Sequence, residues 1–277
     1  MNDTLTITLM GTGSSGGVPR VGNVWGNCDP AEPRNRRRRC SILIERCKTL
    51  QTTSAIKHPP EKTTVVVDTG ADLREQLLSA DVRSIEGVVL THSHADHIFG
   101  LDDLRQMAIN LRRPIDVWLD EPTRAQVMAA FSYCFNQAPG SSYPAFCNEH
   151  ALTPLQPFEI QGPAGDITIN TLIAEHGDIN ALGVRVADSV YLPDMKRVSD
   201  ARSLELLQDV NVLIVDALRY HSHPSHMNLE ESLAFIDKVR PNRAVLTNMH
   251  GDLDYQELSS ALPDGVEAGY DGMKITL

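Results

Sequence analysis

Between Thr91 and His97 the chain reads Thr-His-Ser-His-Ala-Asp-His, directly after the apolar run Val88-Val89-Leu90. Three histidines and one aspartate crowd into positions 92 to 97. Imidazole nitrogen and carboxylate oxygen both ligate divalent zinc, manganese or iron. Clustering such groups behind a buried strand is costly unless they have work such as holding an ion. In a turn leaving a strand, residues two apart splay less than neighbours do, so His92 and His94 can face one ion while Asp96 and His97 face another. The spacing therefore suggests two cations.

His92-x-His94-x-Asp96-His97 resembles the signature of the metallo-β-lactamase fold hydrolases, and among them the phosphonate-pathway cyclic phosphodiesterases. The resemblance implies an α/β fold, a four-layer αββα sandwich, formed by residues 1–277 as one domain. It also implies further ligands, each following a strand. His176 lies in Glu175-His176-Gly177-Asp178 after the run Ile167 to Ala174, and Asp194 follows Val190-Tyr191-Leu192-Pro193. His250 comes after Ala244 to Thr247, in Asn248-Met249-His250-Gly251-Asp252. The implied set is His92, His94 and His176 on one ion and Asp96, His97 and His250 on the other, with Asp194 bridging. Relatives that process RNA or cyclic phosphates often carry the last histidine directly after the threonine, where this chain has Asn248, so His250 reaches an ion only if that turn is displaced. Two divalent ions are expected, manganese or zinc first, with iron or nickel also compatible. Asp68, ending the apolar run Val65-Val66-Val67, is expected to brace the metal loop rather than bind an ion.

Two further clusters concern the substrate. Pro33-Arg34-Asn35-Arg36-Arg37-Arg38-Arg39 concentrates five arginines on an acidic chain and leads into the strand-like Cys40 to Ile44. Guanidinium is well shaped for phosphate, and Arg34, Arg36, Arg37 and Arg38 are the candidate anchors. Gly11-Thr-Gly13-Ser-Ser-Gly16 spells a dinucleotide fingerprint, but Gly17-Val18-Pro19 and Gly22 give no helix to receive a pyrophosphate. The segment reads instead as a loop whose backbone approaches a ligand, resembling the Gly-Thr-Gly-Ser opening of the same hydrolases, with Ser15 as a contact.

The second cluster is Arg219-Tyr220-His221-Ser222-His223-Pro224-Ser225-His226. It precedes a helix with Asn228 as N-cap and Glu231 three residues on. Asp216 and His221 shape this loop. His223-Pro-Ser-His226 resembles the family's loop that offers a histidine to the scissile phosphate, with His226 first and His223 second for that role. An imidazole near its ordinary pKa can protonate a leaving alkoxide at neutral pH, while Asp96 orients the attacking water as well as binding metal. The expected reaction is hydrolysis of a small phosphodiester, such as a cyclic ribosyl or nucleoside phosphate. The alternatives are an RNA 3′-end processing nuclease, a thioester or lactone hydrolase, and a metal-binding scaffold without catalysis.

A formal charge of −11 with one short basic run argues against long nucleic acid as a partner. The 277 residues are 42% hydrophobic, enough for a sizeable core. No apolar segment is long enough to span a bilayer, and the start Met1-Asn2-Asp3-Thr4-Leu5 lacks the basic region of an export signal, so a cytoplasmic location is expected. A homodimer is the base-rate expectation. Five scattered cysteines fit reduced thiols. Relatives of the cyclic phosphodiesterase type often carry closely spaced cysteines before the arginines; this chain has only Cys28 there, so no structural zinc is expected.

These side chains need elements to hold them. Helical spacing appears in 72–79, 101–110, 122–135, 201–208, 229–239 and 254–262, and strand-like runs in 115–119, 184–187, 212–215 and 244–247. The polar, Pro-Pro-broken stretch from Lys48 to Thr64 reads as an exposed loop or hairpin extension in which His58 is inert. Histidines and aspartates fall repeatedly where strands end, as a site at one edge of a sheet sandwich requires.

Overall fold

The apolar runs of this chain are apolar on both faces, and a strand buried on both faces must lie between two other layers. The structure, a computed structural model, describes residues 2–49 and 61–277. Its first sheet takes β1 (Asn2–Gly11), β2 (Ser41–Thr49), β3 (Glu61–Val67), β4 (Gly87–Val89), β5 (Ile115–Leu119) and β6 (Cys147–Ala151). The second takes β7 (Phe158–Ile160), β8 (Ile167–His176), β9 (Ile179–Val186), β10 (Ser189–Leu192), β11 (Val212–Asp216), β12 (Arg243–Thr247) and β13 (Val266–Ala268). The last strand, β14 (Lys274–Thr276), returns to the first sheet beside β1. The orders are β14-β1-β2-β3-β4-β5-β6 and β13-β12-β11-β10-β9-β8-β7.

Strand alternation sorts the side chains into three cores. Ile42, Ile44, Val65, Val67 and Val89 face the other sheet and meet Ile169, Val184, Tyr191, Ile214 and Val245. Their sequence neighbours Leu43, Val66 and Val88 point outward, under α1 (Leu73–Ser79), α3 (Leu104–Leu111) and α4 (Glu121–Phe135). On the far side Val190, Leu192, Leu213, Val215 and Leu246 lie under α5 (Ala201–Glu205), α6 (Leu229–Val239) and α7 (Tyr255–Ala261). A shared inner core and two outer ones make four layers, αββα, as expected.

Some element bounds differ from the sequence reading. Leu101–Asp103 form a 3-10 turn before α3, which runs on to Leu111, and the helix expected over 201–208 ends at Glu205. Of the stretch from Lys48 to Thr64, read as an exposed loop or hairpin extension, the described ends are strand: β2 reaches Thr49 and β3 starts at Glu61, paired antiparallel out to Lys48 and Glu61. His58 lies outside the described residues. Among the described residues no helix is long and apolar enough to cross a membrane.

Parallel pairing decides where the site sits. The strands β3, β4, β5 and β6 run parallel, as do β10, β11, β12 and β13. Their carboxyl ends therefore gather along one edge of the sandwich, where open sheets leave a crevice. Asp68 follows β3, Thr91 to His97 follow β4, Asp194 follows β10, Asp216 ends β11 and Asn248 follows β12.

Candidate metal centre

The loop after β4 passes His92 and His94 and then closes one turn of helix, α2 (Ala95–Ile98), which carries Asp96 and His97. Gly70 lets this turn pack close: a Cβ there would stand 2.0 Å from the Asp96 carbonyl oxygen. His92 and His97 are buried, whereas His94 is exposed and marks the open side. β8 and β10 of the other sheet bring in His176 and Asp194, both buried.

Four ligand atoms converge in the first group. His94 Nδ1 lies 3.1 Å from both His92 Nε2 and His176 Nε2, and Asp194 Oδ2 lies 3.7 and 3.6 Å from those same two nitrogens. Metal–nitrogen bonds of about 2.0–2.1 Å in tetrahedral array put ligand atoms roughly 3.3 Å apart, so these residues fit a zinc-sized cation. The second group is smaller. His97 Nε2 stands 3.5 Å from Asp96 Oδ2 and 3.4 Å from Asp194 Oδ1. Asp194 thus turns one oxygen to each group, and both could hold an ion.

Each of three histidines has its outer nitrogen tied down, which frees the inner one. His97 Nδ1 donates to Asp68 Oδ2 at 2.7 Å, and His176 Nδ1 donates to the Ser225 carbonyl at 2.9 Å. Thr91 Oγ1 donates to Asp68 and can therefore accept from His92 Nδ1, at 3.0 Å. These tautomers follow from the partners. Asp68 braces two histidines, one directly and one through Thr91. Burial raises the Asp68 carboxyl pKa against the opposing pull of His97 and Thr91.

Charge tells the same story. Burial alone would depress the His97 pKa, but Asp194, Asp68 and Asp96 surround it and hold it well above the ordinary histidine value. The Asp194 carboxyl, also opposed by burial, is held below the carboxylate range by His97, His92 and His226. Although buried, His97 Nε2 has no hydrogen-bond partner among the described residues. A buried orphan nitrogen among carboxylates is what a cation would satisfy.

His226 enters from the loop after β11. Its Nδ1 donates to Asp216 Oδ2 at 2.8 Å, and its Nε2 lies 4.0 Å from Asp194 Oδ2. Burial opposes the imidazolium, yet the hydrogen bond and charge of Asp216 outweigh it and raise the His226 pKa. Burial likewise pushes Asp216 up to about 7, against the pull of His226. His223 sits behind, its ring 5.1 Å from that of His226, with Nδ1 taken by Ser225. His221 is exposed.

Other expected residues are placed differently. His250 does not join either group: its ring meets Arg20 and Asp252, and its backbone N–H donates to the Leu218 carbonyl. Arg37 is not a surface anchor but a buried strut, 2% exposed, donating to the His250 carbonyl and toward Cys28 Sγ. Its neighbours Arg36, Arg38 and Arg39 stay at least partly exposed. Arg38 pairs with Asp271 and reaches Ser79, and Arg34 lies over the rings of Tyr255 and Tyr270. Together with exposed Arg36 they line a cavity of about 620 Å³. Ser15 is exposed, and its carbonyl accepts from Arg39. Arg39 of the same run pairs with Asp72 and lies beside Gly70, on which the metal loop packs. A second cavity, about 690 Å³, borders His92 and Ser93 and is lined by Thr123, Leu152, Asn180 and Leu182. No motif marks these residues.

A β-lactamase superfamily domain profile matches residues 63–249. A solved diphosphatase of the PhnP family is 29% identical with a TM-score of 0.82, covering 99% of this chain and 97% of its own. Zinc-bound PqqB from Methylobacterium extorquens shares the fold at 15% identity and a TM-score of 0.72, over 98% of this chain and all of its own. An octanoyltransferase of Porphyromonas gingivalis is 32% identical over 271 residues, which are 96% of this chain. The chain spans about half the length of that curated relative.

Proposed function

The chain belongs to the β-lactamase superfamily, and from that premise we propose that it is a metal-dependent phosphodiesterase acting on a small phosphodiester, such as a cyclic ribosyl or nucleoside phosphate. The observation that carries this reading is His226, fixed by Asp216 with its Nε2 turned toward Asp194 at 4.0 Å. A protonated imidazole on the rim of a cation centre is placed to donate its proton to a departing alkoxide oxygen. Thioester hydrolysis has less need of it, because a thiolate leaves unaided.

His92, His94, His176 and Asp194 would hold one divalent cation, and Asp96, His97 and Asp194 would border a second position. Bound there, such cations supply Lewis acidity, acidifying water and offsetting charge on phosphoryl oxygens. Asp96 accepts a proton from, and orients, the attacking water. Asp68 and Thr91 keep His92 and His97 in the tautomer that turns a lone pair inward. The cavity beside His92 and Ser93 would receive the remainder of the substrate.

A small substrate is favoured over long RNA by the fate of the arginine run. Arg37 is buried, Arg38 is committed to Asp271 and Arg39 to Asp72, which leaves Arg34 and Arg36 facing outward. That is little positive surface for a polyanion.

The test compares the zinc- and manganese-loaded protein on bis(p-nitrophenyl) phosphate, an octanoyl thioester and a lactone. Turnover of the phosphodiester above the other two is expected. The thioester arm checks the acyl chemistry named for the octanoyltransferase, and preference for it would overturn the proposal.

A further inference from the structure

The two candidate cation positions differ in their number of protein ligands, and Asn248 stands beside the poorer one. The first position has four protein ligand atoms, three imidazole nitrogens and Asp194 Oδ2. The second, among the described residues, has three, Asp96 Oδ2, His97 Nε2 and Asp194 Oδ1. Next along its edge comes Asn248, which is 1% exposed. Its Nδ2 lies 3.3 Å from Asp194 Oδ1 and 3.2 Å from Asp216 Oδ1. Two carboxylate acceptors require the amide nitrogen, not the oxygen, to face the centre. His226 Nδ1, at 3.1 Å, donates to Asp216 and so does not accept from the amide.

Asn248 therefore presents a donor, not a lone pair, to the Asp194 oxygen that faces the second position. It also spends part of the charge of Asp194 Oδ1, the oxygen that faces the second position. His250 offers no replacement, held as it is by Arg20 and Asp252. We propose that Asn248 makes the second cation position an exchangeable one: the chain retains one resident divalent ion on His92, His94, His176 and Asp194, and takes up a second only from excess metal. This rests on the metal-centre reading above, but not on the substrate. Metal counting uses no substrate, so a chain that holds one ion and cleaves no phosphodiester upholds this inference and sinks the other.

The experiment is zinc content by elemental analysis after loading with excess zinc and exhaustive dialysis against metal-free buffer. Wild type is expected to keep one zinc per chain, with the second binding on the order of a hundredfold more weakly in titration. N248H puts an imidazole in place of the amide and is expected to keep two. N248A removes the competing donor, and is expected to keep one without weakening the second site. Should N248H fail to fold, as judged by circular dichroism, wild type and N248A decide. Two zinc ions retained by wild type would overturn the proposal. So would a folded N248H that still keeps one, or a loss of second-site affinity in N248A, which would mean that Asn248 itself holds the ion.

Discussion

Removing the His226 imidazole deletes a proton donor without deleting a member of either ligand group, so chemistry and metal content should separate. H226A is expected to keep the zinc content of wild type while losing about 10²- to 10⁴-fold in turnover of an alkyl-leaving phosphodiester. On bis(p-nitrophenyl) phosphate, whose leaving group needs no proton, the loss should be far smaller. Equal losses on both substrates would contradict the acid role. Asp216 acts through His226 by fixing its tautomer and direction, so D216N is expected to show a smaller loss of the same selectivity. Steady-state rates on the two substrates check both variants.

The helix α7 shows how one cap positions more than its own element. Asp254 accepts from Gln256 and Glu257 backbone N–H groups at 2.9 and 3.1 Å, from Asp29 N–H at 3.0 Å and from Asn35 Nδ2 at 2.6 Å. A helix N-cap is thereby tied to the turn that starts the arginine run. D254A should cost about 1–3 kcal/mol in urea unfolding, through the lost cap and the buried donors left behind. Burial alone would raise the Asp254 pKa, but these hydrogen bonds outweigh it and lower it. Its contribution is therefore complete above the unfolded carboxyl value and fades as pH falls through the folded one. The stability gap between wild type and D254A should be constant near neutrality and narrow in acid. A gap that widens in acid would refute the sign.

Across the whole molecule, the candidate metal ligands come from both sheets. His92 and His94 follow β4 of the first, while His176 ends β8 and Asp194 follows β10 of the second. An ion held by all four binds the folded chain and not the unfolded one, which stabilises it by about 2.7 kcal/mol at a hundred times its dissociation constant. At roughly 2–4 °C per kcal/mol, zinc should raise the melting temperature by several degrees, and a chelator should reverse the gain. H176A, which cuts the second sheet's imidazole from the first group, should lose most of it. An unchanged zinc response in H176A, measured by differential scanning fluorimetry, would contradict the inter-sheet tie.

The residues that could do chemistry were legible one strand end at a time. His92 to His97, Asp68, His176 and Asp194 each follow an apolar run, and a carboxylate or imidazole in that place is costly without a partner. The layers were legible too, because strands apolar on both faces need cover on both. What the linear order could not supply is which groups meet. His250 and Asn248 stand two residues apart after the same strand, yet only the fold turns Asn248 toward Asp194 and His250 toward Arg20. Arg37 and Arg38 are adjacent, and the fold sends one inward to the His250 carbonyl and the other outward to Asp271. Sequence sets the chemical character of each group and the face it can take within its own element. Whether two groups share a site depends on sheet order and loop path, which are fixed by contacts between residues far apart in the chain.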